Sequence, residues 1–498
     1  MPAVLPAFLF SGFSVIFCLT VWAEERLCHS NNMEENLVYA KNNLTEGKIY
    51  PALIRFSLPV LGALFLQSLY GAVDLLVIGQ FSTASDVSAV SNGAQIMATM
   101  TNVMASLSMG TTIVLGQMIG QKDRKAAGKI VGDSIVFFSI LGFAVSILLA
   151  VFAPAITRLM RVPAEAVAAT TVYLRICGGG MIVITLYNLI GSIFRAVGDS
   201  RTPLIAVTFA CIGNIIGDLL LVAVFHMGAA GAAIATVLSQ ALSVILSTHL
   251  ILRKELPFDF KKNMIRWDGQ ITGKILQLGT PIAVQDFLVS ISFLVILAIV
   301  NVLGVTASAG VGVAEKVTAF IMLVPIAFMQ AMAAFVAQNY GAGKLKRAEI
   351  GLRYAIGTAF AIGVVMSYLS FFHGGLLAGL FSRDPAVVQA GWDYLKAYAI
   401  DCLLTPVFFC MTGYFNGIGK TRFVMIQGII GAFLVRIPVS FVMSRQKPVS
   451  LFHIGLATPA SSILQIILCL SYFAYLKKNE AGRMNLIKKE EGSETAEM

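Results

Sequence analysis

Residues 203–225 read PLIAVTFACIGNIIGDLLLVAVF, and apolar runs of this length recur along almost the whole chain. Each is long enough to cross a hydrocarbon core of roughly 30 Å as a helix. A β-barrel is the other way to satisfy every backbone group in lipid, but it needs short alternating segments, and these runs are continuous. Of the 498 residues, 57% are hydrophobic and 12% charged, against about 25% charged in an ordinary soluble domain. A water-soluble globule has no interior large enough to hide so much apolar side chain. The chain reads as an all-α polytopic membrane protein.

Polar and Gly/Pro punctuation divides it into twelve spans, at 53–80, 87–119, 128–153, 165–192, 203–225, 229–252, 271–300, 308–338, 349–378, 386–414, 422–444 and 452–476. Loops after even-numbered spans carry Lys122, Arg124, Lys125, Arg201, Arg253, Lys254, Lys261, Lys344, Arg347 and Lys420, among others. Loops after odd-numbered spans carry only Arg158, Arg161, Arg383, Arg445 and Lys447. The positive-inside rule then puts both termini in the cytoplasm of a multi-pass cell (inner) membrane protein. The same rule accounts for the net charge of +10, so nucleic acid is not expected as a partner. Seven cysteines, mostly within spans and without metal-site spacing, indicate neither a disulfide framework nor a zinc site. Residues 1–32 are an apolar extension without a basic leader region; an extra span and a poor signal peptide are the other readings, and a start at Met33 is favoured. The tail at 479–498 reads as a solvated, disordered end.

The chain also repeats itself. "GQMIGQKDRKAA" around Gln117 returns as "AQNYGAGKLKRA" around Gln338, and "IFRAVGDSRTPLI" around Gly198 returns as "YFNGIGKTRFVMI" around Gly419. "FSLP" ending at Pro59 is echoed by "LGTP" ending at Pro281, and the offset stays at 221 or 222. Six spans per repeat give both halves the same orientation, so a pseudo-two-fold along the membrane normal relates them. The expected domains are an N-lobe at 33–252, a basic linker at 253–270 and a C-lobe at 271–478. Two such lobes can rock about a midplane cavity to give alternating access.

Each polar residue in a span can be compared with its image in the other half. Asp74 maps to Ile296, Asn214 to Val435 and Asp218 to Val439. The scaffold therefore accepts apolar side chains at these places, and packing alone does not demand acids there. Asn214 and Asp218, four residues apart, share one helix face. A charged aspartate at the bilayer centre costs at least about 2.5–3.5 kcal/mol on insertion scales. Two acids in one pocket would share a proton or coordinate a hard cation through oxygen, with Asn214, Thr236 and Gln67 as further ligands. Both H⁺ and Na⁺ suit such a cluster. No other metal and no resident cofactor is expected.

The two six-span lobes, the Gly-Gln-x-x-Gly loop after span two with its Ala-Gln-x-x-Gly echo, "RAVGDSRTP" after span four and "GAAIAT" opening span six resemble the multidrug and toxic compound extrusion (MATE) family. The resemblance covers about residues 45–478. Prokaryotic members carry a first-helix aspartate with a glutamine two turns before it, an Asn-x-x-x-Asp pair in helix five and a threonine in helix six. Those positions match Asp74, Gln67, Asn214, Asp218 and Thr236, which the resemblance implies are the cation or proton site. Members coupling through the C-lobe place a glutamate in helix seven, where this chain has Val289. Gln285 and Asp286, one turn earlier, and Asp401 and Glu315 are candidates for a substrate cavity. Arg175, Lys396 and Arg436 are expected to snorkel or pair. "GAGK" at 341–344 lacks the spacing of a phosphate loop and reads as a tight turn.

These readings imply a non-enzymatic, monomeric secondary transporter that exports small organic compounds, cationic and amphipathic, in exchange for H⁺ or Na⁺. The rival reading is a lipid-linked precursor flippase. It would need a strongly basic central cavity, and intramembrane Arg and Lys are few.

Overall fold

The computed structural model describes residues 43–252, 254 and 256–494. The apolar extension at 1–32 and Arg253 therefore lie outside the described residues. Every regular element among the described residues is helical. Eleven helices are long and apolar enough to cross a bilayer, and a bent pair supplies a twelfth span. Spans one to six are Ile49–Phe81, Ala84–Gly120, Arg124–Leu159, the bent pair Ala164–Gly179 and Met181–Val197, Arg201–Val224 and Gly228–Ile251. Spans seven to twelve are Gly269–Asn301, Val305–Gly341, Leu345–Phe372, Pro385–Gly417, Thr421–Arg445 and Leu451–Asn479. The last helix runs on to Glu494.

Span four bends by 48° at its run of glycines. A Cβ on Gly178 would lie 2.8 Å from Leu149, and one on Gly180 would lie 2.6 Å from Val237. Spans three and six therefore press against the bend at Gly178 and Gly180, which leave no room for a side chain. The corresponding residues of the second repeat are Ala399, Ile400 and Asp401, and span ten runs unbroken through them. Span three turns Phe143, Ile147, Val151 and Phe152 outward, as a helix in contact with lipid does.

Turn chemistry fixes the loops between spans. Thr83 and Asp86 form a capping box at the start of span two, and the other Asp86 oxygen accepts the Ala229 N–H at 3.1 Å at the start of span six. Gly198 takes a left-handed conformation at φ +87°. Asp199 after it accepts N–H groups of Arg201 and Thr202, each at 3.1 Å, and pairs with Lys254 Nζ at 2.6 Å. Burial alone raises the Asp199 pKa, but hydrogen bonds from Lys254 and Thr202 and the lysine charge outweigh it and hold the carboxyl below its ordinary value. "GDSRT" is therefore a structural turn. Likewise Gly343, at φ +70°, makes "GAGK" a tight turn.

The chain divides into two compact units. The first comprises Met1–Ser290, Lys316–Ala359 and Gly413–Met425. It holds spans one to six and, from the second repeat, the lengths of spans seven to eleven next to the basic loops. Within it backbones meet at glycine, as small residues allow in membranes. A Cβ on Gly110 would lie 2.4 Å from the Ile275 carbonyl, and one on Gly279 would lie 2.4 Å from that of Leu107. The second unit comprises Ile291–Glu315, Phe360–Thr412 and Ile426–Met498. There Gly310 packs on Ala390, Gly363 on the Cys402 carbonyl and Gly455 on Ala397.

Candidate functional site

Spans one, five and six of the first unit converge on a buried acid pair. Gly217 of span five lies so close to span six that a Cβ there would be 3.0 Å from that of Ala235. This contact brings Asp218 beside Thr236. Directly after Asp218 the helix widens into a π-helical stretch, Leu219–Val224, an irregularity frequent at functional sites. The Thr236 hydroxyl donates to Asp74 Oδ2 at 3.3 Å, and the Asp74 carboxylate also faces Asn214 and Asp218. Asp74 is 6% exposed, and Asn214 and Asp218 are fully buried.

Five polar atoms here make no hydrogen bond of normal geometry among the described residues, although they lie within reach of one another: Asp74 Oδ1, both Asp218 oxygens and both Asn214 amide atoms. A buried polar atom without a partner ordinarily costs about 1–3 kcal/mol, and a charged one more. The oxygens form a set that suits a proton held between carboxylates or a hard cation, which takes oxygen ligands. Among the described residues no group of three or more His, Cys, Asp and Glu is placed to hold a metal ion.

Four of the five residues read from the sequence as one site are thus together. Gln67 is not among them. It lies two turns before Asp74, about 10 Å back along the helix, and its amide donates to the Tyr187 hydroxyl of span four. Beside it Gln240 donates to Tyr70 at 2.9 Å. Tyr70, Tyr173, Cys177 and Cys211 lie close enough to Asp74 to feel its charge. Sequence reasoning missed these residues. For two of them a signal existed: Tyr70 stands one turn before Asp74, and Gln240 one turn after Thr236.

The remaining candidates do not form one cluster. In the first unit Asp286 accepts a hydrogen bond from the Ser106 hydroxyl of span two, and Gln285 is buried with its Oε1 unpartnered among the described residues. In the second unit Asp401 accepts from Ser462 at 2.6 Å, and Glu315 has one oxygen likewise without a partner. Arg436 of that unit is paired, donating to Ser292 at 3.1 Å and lying 4.5 Å from the Phe293 ring centre. Lys396 pairs with Asp393 at 2.8 Å.

Twelve spans in two repeats, with an acid pair confined to one repeat, define a polytopic helical transporter built by duplication. The MatE family model matches the chain twice, over residues 59–220 and 281–442, and the second match begins 222 residues after the first (281 against 59). The chain belongs to this family, the multidrug and toxic compound extrusion efflux transporters. It is 27% identical over 410 residues to "Probable multidrug resistance protein YpnP" of Bacillus subtilis, covering 81% of this chain and 90% of that protein. It is 25% identical over 412 residues to "Multidrug export protein MepA" of Staphylococcus saprophyticus, covering 82% and 90%. Among solved structures, "Outward-facing conformation of a multidrug resistance MATE family transporter of the MOP superfamily" matches with a TM-score of 0.82 at 20% identity, covering 90% of this chain and all of that one. "Crystal structure of MATE in complex with MaL6" gives 0.82 at 21%, covering 88% and 99%.

Proposed function

We propose that the protein is a secondary active exporter of organic, cationic and amphipathic compounds, driven by H⁺ or Na⁺ moving inward. The observation that carries this reading is the buried pair of facing carboxylates beside Asn214 and Thr236, in a repeat whose partner repeat is apolar at the positions of Asp74, Asn214 and Asp218. Asp74, Asn214, Asp218 and Thr236 hold the coupling ion. A cation between the two carboxylates draws spans one and five together, and its loss lets them part. Within the first unit, Asp286 and Gln285 meet the cationic group of the substrate; within the second, Asp401 and Glu315 are separate candidates for such a contact. The protein works as a monomer without a resident cofactor, and its basic loops face the cytoplasm.

Asp74→Asn and Asp218→Asn are expected to abolish drug resistance while membrane abundance stays at the wild-type level. Wild-type resistance in both variants would remove the assignment. Dye efflux from vesicles, driven separately by a sodium gradient and by a pH gradient, identifies the ion.

A further inference from the structure

The end of the first unit that bears the basic loops contains two hydrogen bonds that are images of each other. Gln117 Nε2 of span two donates to the Gly417 carbonyl of span ten at 3.0 Å. Gln338 Nε2 of span eight donates to the Ala196 carbonyl of span four at 2.7 Å. The repeat offset relates both members of each bond: 117 to 338 and 196 to 417, each 221 residues apart. Each bond joins one repeat to the other.

Helix ends explain why these carbonyls need such a donor. The last carbonyls of a helix have no partner within it. After span four, Gly198 N–H returns to Arg195 O and Asp199 N–H to Phe194 O. After span ten, Gly419 N–H returns to Asn416 O and Lys420 N–H to Phe415 O. Left-handed Gly198 and Gly419 make both turns possible. The carbonyls of Ala196 and Gly417 are passed over, and the glutamines of the opposite repeat take them. Backbone contact surrounds the pair, because a Cβ on Gly120 would lie 2.0 Å from the Gln338 carbonyl and one on Gly341 would lie 2.0 Å from that of Gln117.

The pair differs in one respect. Gln338 Oε1 also accepts the Leu44 N–H at 3.3 Å. Leu44 belongs to a short strap before span one, whose carbonyls are held by Asn339, Lys344 and Arg347. Gln117 has no such tie to the strap among the described residues.

We propose that Gln117 and Gln338 are the paired positioning residues that keep the basic-loop end of this transporter shut. Each caps a helix of the other repeat, and both bonds must break before that end opens. The proposal rests on the reading of the chain as an alternating-access exporter, and it places the control of one gate outside the acid pair. No titratable group takes part in either bond, although Lys344 and Arg347 hold the strap bonded to Gln338.

The test uses Ala337→Cys as a reporter in full-length protein in nanodiscs. Ala337 is fully buried, 3.0 Å from where a Cβ on Gly116 would sit. Labelling of the introduced thiol by a membrane-impermeant maleimide, read by peptide mass spectrometry, reports opening of this end without substrate or ion gradient. Loss of one net hydrogen bond should raise the rate about fivefold in Gln117→Leu. Gln338→Leu loses the strap bond as well and should exceed it, at about tenfold or more. Gln117→Met and Gln338→Met keep the side-chain length and remove the donor; both should raise the rate, and Gln338→Met, which also loses the acceptor for Leu44, should exceed Gln117→Met. Monodisperse variants labelled at the parent rate overturn the proposal. A response confined to the Gln338 variants also overturns it, since the strap alone would then hold the gate. Failed dye efflux with responsive labelling would sink the coupling reading and leave this one intact.

Discussion

Asp199 closes the turn before span five with one oxygen on two backbone N–H groups and the other on Lys254 and Thr202. Its pKa in the folded protein is depressed. The stabilisation it gives is therefore complete above the ordinary carboxylate value of about 3.9 and is lost as pH falls through the lower folded value. Asp199→Asn should reduce the thermal midpoint by about 1–2 °C at pH 7, a small effect because Lys254 is partly exposed. The difference from wild type should shrink as the buffer is taken to pH 4 and below; a constant difference would separate the effect from charge. Asp74 and Asp218 were legible in the sequence because their images in the second repeat are Ile296 and Val439. The partner of Gln67 was not legible. Tyr187 lies 120 residues away, and nothing local to either residue specifies the other.

Spans two, eight and ten are the most buried: 67% of their apolar stretch is buried, against 22% for spans one, three and nine. Their glycines act as contact points. Gly120→Ala and Gly341→Ala would each put a Cβ 2.0 Å from a backbone carbonyl that cannot swing away. Both should lower the thermal midpoint by several degrees. Gly357→Ala in span nine meets nothing within 4 Å and should be neutral or raise it, since alanine favours helix over glycine by about 1 kcal/mol. Equal effects at all three positions would show that helix propensity, and not contact, sets the response. Hydrophobic length and punctuation located every span. The bend in span four was not visible in that pattern, because Leu149 and Val237 of neighbouring spans press on it; nor was the π-helical stretch after Asp218.

For the whole molecule the testable quantity is orientation. A single reporter cysteine at Gln121, in the exposed loop after span two, should label from the cytoplasmic side. One at Ala164, exposed before span four, should label from outside. Labelling of both from one side would remove the twelve-span topology. Duplication was legible at this scale from the constant offset, and the twin family match reproduces it. The division into compact units was not. Residues 269–290, in the second repeat by sequence, belong to the first unit with spans one to six.

The sequence by itself determined that lipid is the solvent, where the chain crosses it, that the fold is two copies of one design, and that one copy alone carries the acid pair. These are properties of composition, period and offset, which a chain displays before it folds. Only the tertiary structure decided that Thr236 and not Gln67 reaches Asp74, that glycines bend span four against spans three and six, and that two glutamines bond across the repeats. Each of those is a meeting of side chain or backbone from spans distant in sequence, and such meetings are fixed by packing geometry, which no local pattern encodes.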